Sequence, residues 1–400
     1  PEHSEAAHSL GVLHLQRGQP DRAADSLGLA LRIDPDNAAA HRDHGIAMQA
    51  MNLSADAIAS FDASIRLSPN DPFTHYARGN TLLRAGRGGD AIAAFDAAIA
   101  LRPEYFEAIH NRANALRELD RLEEAVADYR NAAALRPNEP VALYNLGFAL
   151  QDIGDFDGAF ANYNRAIGLK TDFYEARKAR GSLKLLLGRM PEGFSDFDWR
   201  LKASEQTIDP ALRRVRYWSG ENLEGKSIVV YGDGAFGDLV QFSRYLPLLA
   251  KRGAEVTLLA PAHFHKVLST ADLNARLVAE IDPAHLPDLR CEVMSLPNLF
   301  KTDLETIPPG IDLSSKDERR IATGRAALPR NKLNVGICWQ GNPARNIDRG
   351  RSIPLREFEA LAHVPGVRLI SLQQKHGLDQ LESLSAGTDV VQFDECFDSG

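Results

Sequence analysis

Residues 79–112 read GNTLLRAGRGGDAIAAFDAAIALRPEYFEAIHNR, and four of them set the pattern: Gly79, Ala91, Phe95 and Pro103. Each recurs. Gly11, Gly45, Gly79, Gly147 and Gly181 fall on a 34-residue grid, with Ala113 on the one remaining step. Twelve residues beyond the first five grid positions stand Ala23, Ala57, Ala91, Ala125 and Ala159. Four residues further on come Leu27, Phe61, Phe95, Tyr129 and Tyr163, and Pro35, Pro69, Pro103 and Pro137 close the first four units. A period of this length marks an array of stacked supersecondary units. Small residues at the grid position and at the later alanine let two antiparallel helices approach closely. The bulky residue fills the gap between units, and the proline stops the second helix. One helix pair cannot bury a core alone, so the units must stack into a superhelix with a concave face.

The pattern resembles the tetratricopeptide repeat, and about six units span residues 1–207. The sixth, roughly 174–207, departs from it: Lys184, Gly193 and Arg200 occupy positions that are apolar or alanine elsewhere. It reads as a cap that docks onto the next domain. Two uses of the array stay open. It is a rigid packing platform, or its concave face is a groove that presents a protein or peptide. In the second case Asn80, Asn111, Asn114 and Asn145, polar positions on the first helices, are candidates to hold a peptide backbone; otherwise they are solvated.

Composition bounds the rest. The 400 residues are 44% hydrophobic and 25% charged, the profile of an ordinary globular protein with two or three domains. A formal charge of -8 denies the chain the basic footprint of a nucleic-acid binder. No apolar run approaches the roughly 20 residues that span a bilayer. Cys291, Cys338 and Cys396 lie far apart, without metal or disulfide spacing, so a reducing, cytoplasmic setting is expected. His263 and His265 would form a metal pair only on a strand, and no third ligand accompanies them, so no metal is expected.

After Ala203 the period stops, and strand and helix signals alternate. Ser227 to Pro247, SIVVYGDGAFGDLVQFSRYLP, runs from a buried parallel strand, Ile228–Tyr231, through a glycine-rich turn into a helical pattern. Such a turn brings backbone close to a ligand and offers helix N–H groups to an anion. Further strands are expected at Glu255–Leu259, Cys291–Ser295, Leu333–Trp339, Arg368–Gln373 and Val390–Phe393. Helices are expected at Pro261–Leu268, Lys316–Ala327 and from Leu355 through Leu361. Arg213, Arg214 and Arg216 read as a solvated face or a contact to the repeat array, with a phosphate role as the sharper alternative, and Trp218 as a packing anchor at the domain junction. Arg345, Arg349 and Arg351 follow the strand at Leu333. They would grip a diphosphate bidentately or form a salt-bridged loop with Asp348.

Several motifs now combine: Trp218-x-Gly220, Gly237-Asp238 with Gln241-Phe242 and Arg244-Tyr245, Met294-Ser295-Leu296-Pro297, Gly336-x-x-Trp339-x-Gly341-Asn342-Pro343, Arg351-Ser352 and Ser371-Leu372-Gln373. With the repeats they resemble bacterial tetratricopeptide proteins carrying a glycosyltransferase-like C-terminal region. That group is similar to lipopolysaccharide heptosyltransferases and, in domain order, to the O-linked N-acetylglucosamine transferases. The resemblance implies a GT-B fold with two Rossmann-like domains. The first would occupy residues 208–332; the second, donor-binding one would begin at 333–400 and be incomplete, since that stretch is shorter than the roughly 100–150 residues of a domain. It implies transfer of a sugar from a nucleotide-sugar donor to a protein or glycan acceptor, with no further cofactor.

Carried over by position, Asp238 would be the general base, with a helix N-cap as its bland alternative. Arg351, with Ser352, Gly341 and Asn342, would bind the donor phosphates, and Gly237, Gln241 and Arg244 would line the acceptor side. The family turn usually reads Glu-Gln-Gly-Leu-Gly-Asp, whereas Asp233-Gly234-Ala235-Phe236 fills its first four places here. The competing reading is a non-catalytic interaction scaffold with a degenerate α/β region.

Overall fold

In the computed structural model the described residues are 2–204, 208–232, 236–314, 318–328, 331–341, 352–374, 376–385, 387–388 and 390–392. They divide into two compact units: Pro1–Arg213 with Ser295–Ile307, and Arg214–Met294 with Pro308–Gly400.

The first unit is a helical solenoid. Its paired helices are α1 Glu2–Gln16, α2 Pro20–Ile33, α3 Ala38–Ala50, α4 Ser54–Leu67, α5 Pro72–Arg84, α6 Gly88–Leu101, α7 Phe106–Glu118, α8 Leu122–Leu135, α9 Pro140–Asp152, α10 Phe156–Leu169, α11 Tyr174–Leu186 and α12 Met190–Phe197. The grid explains the pairing. A Cβ placed on Gly45 or Gly79 would stand 2.6 Å from the ring of Phe61 or Phe95, and one on Gly11 would stand 2.5 Å from Leu27. The missing side chain is the space into which the bulky residue of the second helix inserts. Leu27, Phe61, Phe95, Tyr129 and Tyr163 are at most 1% exposed.

A second 34-residue ladder lies in the turns between paired helices. Gly18, Asn52, Gly86, Asp120, Gly154 and Gly188 all have φ between 60° and 81°. Glycine and, less readily, Asn or Asp tolerate this left-handed conformation, which ends a helix while satisfying its last carbonyls. A third ladder is charged. Arg78, Arg112 and Arg180 each precede a grid position. Arg78 bonds Asp62 on the preceding unit's second helix (2.6 Å), and Arg112 spans Asp96 (2.5 Å) and Asp128 (2.6 Å). Arg180 spans Asn164 (2.7 Å) and Asp196 (2.7 Å). Leu146, in the fifth unit, replaces the arginine with a buried aliphatic side chain.

The sixth unit is a truncated pair. Its second helix is 8 residues long and passes into a 3-10 turn at Asp198–Arg200. Gly181 and Gly193 permit a tighter approach than elsewhere: a Cβ on Gly181 would meet the backbone N of Phe197 at 2.5 Å and the carbonyl of Gly193 at 2.8 Å. Its open end is covered by Ser295–Ile307, a segment that sequence order places inside the α/β region. The Asp198 carboxylate accepts from Ser295 Oγ (2.9 Å), Asn298 Nδ2 (2.7 Å) and Arg200, while Arg200 Nη2 also donates to Ser295 Oγ (2.9 Å). This corrects the strand expected over Cys291–Ser295. The chain leaves the sheet at Glu292 and turns through a 3-10 segment, Val293–Ser295, because Ser295 belongs to the cap.

The second unit holds two parallel sheets. Strands β1 Arg216–Tyr217, β2 Ser227–Tyr231, β3 Glu255–Leu259, β4 Arg276–Val278 and β5 Leu289–Glu292 form one, in the order β1-β5-β2-β3-β4. Strands β6 Leu333–Ile337, β7 Val367–Ser371 and β8 Val390–Val391 form the other, in that order. Ile228, Val229 and Val230 are fully buried, as a strand covered on both faces requires. β1 and β4 escape sequence reading because two or three residues carry no period. The expected helices are found at Ala262–Leu268 and Glu318–Ala327, with a 3-10 turn and a short helix over Leu355–Ala362.

Candidate functional site

Two regions gather the residues that the sequence singles out. The first is the run of first helices α5, α7 and α9. Asn111 Nδ2 on α7 donates to Asn80 Oδ1 on α5 at 2.7 Å, and Asn145 Nδ2 on α9 donates to His110 Nε2 on α7 at 3.0 Å. Asn114 Oδ1 accepts from the buried Tyr129 hydroxyl at 2.5 Å. Arg117 on α7 lies 4.8 Å from the Phe148 ring of α9 and 3.5 Å from Asp152. The four asparagines are therefore neither free nor merely solvated: each spends half of its amide on a neighbouring side chain. Among the described residues the amide groups of Asn80 and Asn114 and the carbonyl oxygens of Asn111 and Asn145 have no side-chain partner. His110, which sequence reading passed over, is the pivot. Burial lowers its pKa, so the ring is neutral; accepting from Asn145 at Nε2 puts its proton on Nδ1, which is buried without a partner. Phe106 stacks on the ring, with centroids 5.6 Å apart.

The second region is the carboxyl end of the five-stranded sheet. From β2 the chain moves outward through β3 to β4, then returns to place β5 on the other side of β2. The order reverses between β2 and β5, and open parallel sheets bind ligands outside the strand ends at such a point. Tyr231 and Glu292 are the register partners there, both buried. Arg290 donates from Nη1 to the Tyr231 hydroxyl (2.7 Å) and from Nε to the Val215 carbonyl (3.0 Å). Burial, then the nearby Glu292 charge, raise the Tyr231 pKa well above the ordinary phenol, so the hydroxyl stays protonated. None of these three was singled out from sequence, because a lone tyrosine or arginine in a strand carries no signal of its own.

The helix Phe236–Ser243 starts just beyond β2. Gly237 is exposed and Asp238 half-buried in its first turn, and Gln241 lies one turn on, three residues from Asp238 and so on the same side. Arg244 donates to the carbonyls of Gln241 (2.8 Å) and Pro308 (3.3 Å). Residues 233–235, 342 and 351 lie outside the described residues, and with them the N-cap of this helix, Asn342 and Arg351. Arg345, Asp348 and Arg349 lie outside as well. Gly341 and Ser352 are described and touch: Gly341 N donates to Ser352 Oγ at 3.0 Å.

The end of β6 is fixed by glutamines. Gln373 Oε1 accepts from the backbone N–H groups of Trp339 (3.0 Å) and Gln340 (3.1 Å), and its Nε2 donates to the Gln340 carbonyl (2.7 Å). Gln380 bonds the Gln340 side chain at 2.6 Å. His263 and His265 sit on a helix, Ala262–Leu268, where residues two apart face different ways, and His265 bonds the Ala260 carbonyl (2.8 Å). Among the described residues no group of His, Cys, Asp or Glu could hold a metal, and no helix is long and apolar enough to cross a membrane.

The architecture is thus a helical repeat solenoid with a parallel-stranded α/β region. Its repeats are tetratricopeptide repeats. Residues 8–72 and 140–173 match families described as "Tetratricopeptide repeat", and residues 113–154 one described as "TPR repeat". Protein FlbA of the bacterium Caulobacter vibrioides is 28% identical over 234 residues, which cover 52% of this chain and 38% of that protein. The chain therefore spans well under half the length of this relative. Among solved structures, MamA from Desulfovibrio magneticus is 22% identical, with a TM-score of 0.42 over 43% of this chain and 98% of that one. YrrB, described as a TPR protein with an unusual peptide-binding site, is 20% identical, with a TM-score of 0.41 over 44% of this chain and 90% of that one. PilF of Pseudomonas aeruginosa is 19% identical, with a TM-score of 0.44 over 51% of this chain and 92% of that one.

Proposed function

We propose that the chain is a protein-interaction platform whose repeat unit holds an extended segment of a partner along α5, α7 and α9. The observation that carries this is the half-used asparagine ladder. Asn80 and Asn114 offer donors, Asn111 and Asn145 offer acceptors, and the other half of each amide locks its orientation. An extended backbone, with alternating N–H and C=O groups, matches that set without the site having to reorganise on binding. Selection of a displayed random-peptide library against the chain tests it. Enriched peptides should lose at least tenfold in affinity to Asn111→Leu and Asn145→Leu variants that melt at the parental temperature. No enrichment, or peptides indifferent to both substitutions, removes the groove from the proposal.

A second reading is favoured by the reversal of strand order. We infer that the α/β region binds a nucleotide sugar and transfers the sugar to an acceptor, in a GT-B arrangement of two Rossmann-like halves in a cytoplasmic protein. Asp238, at the start of the helix after β2, would take the acceptor's proton as its oxygen attacks the anomeric carbon. Arg351, with Ser352, Gly341 and Asn342, would neutralise the departing diphosphate, and Gly237, Gln241 and Arg244 would flank the acceptor. Calorimetric titration of a nucleotide-sugar panel decides between the readings. One donor should bind, more weakly to Arg351→Ala, and Asp238→Ala should abolish turnover while leaving donor binding intact. A folded chain that binds no donor leaves only the platform.

A further inference from the structure

One contact recurs between successive first helices. A residue three before a grid position meets the residue two before the next one. His8 Nε2 lies 2.8 Å from Asp43 Oδ2, Asn111 Nδ2 donates to the Tyr76 hydroxyl at 3.4 Å, and Asn145 Nδ2 donates to His110 Nε2 at 3.0 Å. The three pairs differ in what they can exchange. An ionised carboxylate only accepts, so Asp43 takes a proton-bearing Nε2 from His8 whatever the charge on that ring. A hydroxyl gives and takes, so Tyr76 makes no demand on Asn111, whose amide is set by its shorter bond to Asn80 (2.7 Å). In the third pair a titratable ring faces an amide that can answer with either end. His110 Nε2 accepts only while the ring is neutral, and that bond is what leaves Asn145 Oδ1 for a bound segment. The ring is held in place: Phe106 stacks on it, the Tyr129 ring meets it edge-on with centroids 5.7 Å apart, and Nδ1 is buried without a partner. The groups around it are Glu107 on its own helix, Tyr76 on α5, Tyr129 on α8, and Arg136 and Glu139 in the turn into α9. Arg136 pairs with Glu107 and lies 4.0 Å from the centroid of the Phe106 ring. Glu139 favours a charged ring, but burial outweighs it and holds the pKa of His110 below the ordinary 6.5.

We propose that His110 is the positioning residue of the groove and its release switch: once both ring nitrogens carry protons, the Asn145 amide turns end for end to offer Oδ1 to Nε2–H, and the acceptor it held out to a bound segment becomes a donor. The inference rests on the reading of α5, α7 and α9 as the seat of an extended segment. The backbone N–H that bonded to Asn145 Oδ1 then meets an N–H group, and an unpaired donor costs more than the bond itself contributed. His8 and Asp43 make no such exchange, because a charged ring still donates to the carboxylate. By linkage, a segment that needs the acceptor keeps His110 neutral, so binding lowers the pKa of the ring further.

The first measurement is nitrogen NMR of the full chain labelled in its histidine rings, with the His110 signals identified by their loss in His110→Gln. At neutral pH a protonated Nδ1 and a bare Nε2 are expected, with protonation of Nε2 below pH 6.5. A proton on Nε2 at neutral pH overturns the proposal. The second probe is a peptide enriched from the displayed library at neutral pH. Its affinity for the parent should fall roughly tenfold or more on acidification to about pH 5, and its addition should lower the His110 midpoint. His110→Gln, which has no ring to titrate, and Asn145→Leu, which keeps the ring and removes the amide, should each flatten the profile; His8→Gln should leave it unchanged. The same fall in parent and both flattening variants overturns the proposal. A library that enriches no peptide refutes the groove and this use of it together, whereas a peptide bound equally at both pH values refutes the switch alone.

Discussion

Substitution of two grid glycines by alanine separates what the repeat requires from what the cap requires. At Gly79 an added Cβ would lie 2.6 and 2.8 Å from two ring atoms of Phe95, a side chain that can tilt. Ala113 shows that the array accepts a methyl group there, since it stands fully buried on the same grid above Tyr129. At Gly181 the nearest atoms are backbone: Phe197 N at 2.5 Å, Gly193 O at 2.8 Å and the Asp196 carbonyl carbon at 3.0 Å. Relief there must move the helix Met190–Phe197 itself, and with it Asp196 and Asp198, which bond to Arg180, Lys184 and Ser295. Alanine in a helix returns about 0.5–1 kcal/mol over glycine at either site. Against it stands an overpacking cost of about 1–3 kcal/mol where a ring can yield. The expected net loss is therefore about 1 kcal/mol for Gly79→Ala and about 3 kcal/mol or more for Gly181→Ala. Urea unfolding followed by circular dichroism gives the two losses, and amide exchange over residues 174–200 locates the second. Equal losses, or an unperturbed cap in Gly181→Ala, would refute the idea that backbone contact dictates glycine at position 181.

Asp196→Asn should cost about 2–3 kcal/mol near neutral pH, because it leaves Arg180 and Lys184 without the carboxylate they share. Burial opposes the charge of Asp196, but its bonds to those two cations win and hold its pKa below the ordinary 3.8. Its contribution is thus complete above that value and fades as pH falls through the lowered one, so the parent–variant difference in melting temperature should close in acid; a constant difference would contradict the pairing. Asp198 runs the other way: burial, the largest influence, raises its pKa despite Arg200, so its ionisation costs stability as pH rises past 3.8. Asp198→Ala should nonetheless loosen the Ser295–Ile307 segment by removing the acceptor of Ser295 and Asn298, read as faster tryptic cleavage after Lys301. The Tyr129 phenol, pushed up to about 12 first by burial, should ionise well after an exposed tyrosine in a spectrophotometric titration, and Asn114→Ala should leave it buried and late to ionise.

The solenoid was legible because its chemistry is repeated. Gly79 and Phe95 mean little once; on a fixed period they require a bulky side chain inserted where a Cβ is absent, and that contact lies within the reach of one helix pair. The strands β2, β3, β6 and β7 were legible for a similar local reason, since a run such as Ile228–Tyr231 is apolar enough to demand burial on both faces. Tertiary structure alone decided three things. It gave Ser295–Ile307 to the solenoid, because the partners of Ser295 and Asn298 are Asp198 and Arg200, about a hundred residues away. It set β5 beside β2, bringing Tyr231, Arg290 and Glu292 to the point where the strand order reverses, a juxtaposition that no spacing in the sequence encodes. And it showed Asn80, Asn111 and Asn145 half committed to a side chain of an adjacent unit, because whether such an amide faces water or a neighbour depends on the stacking of units, which the sequence of one unit does not contain.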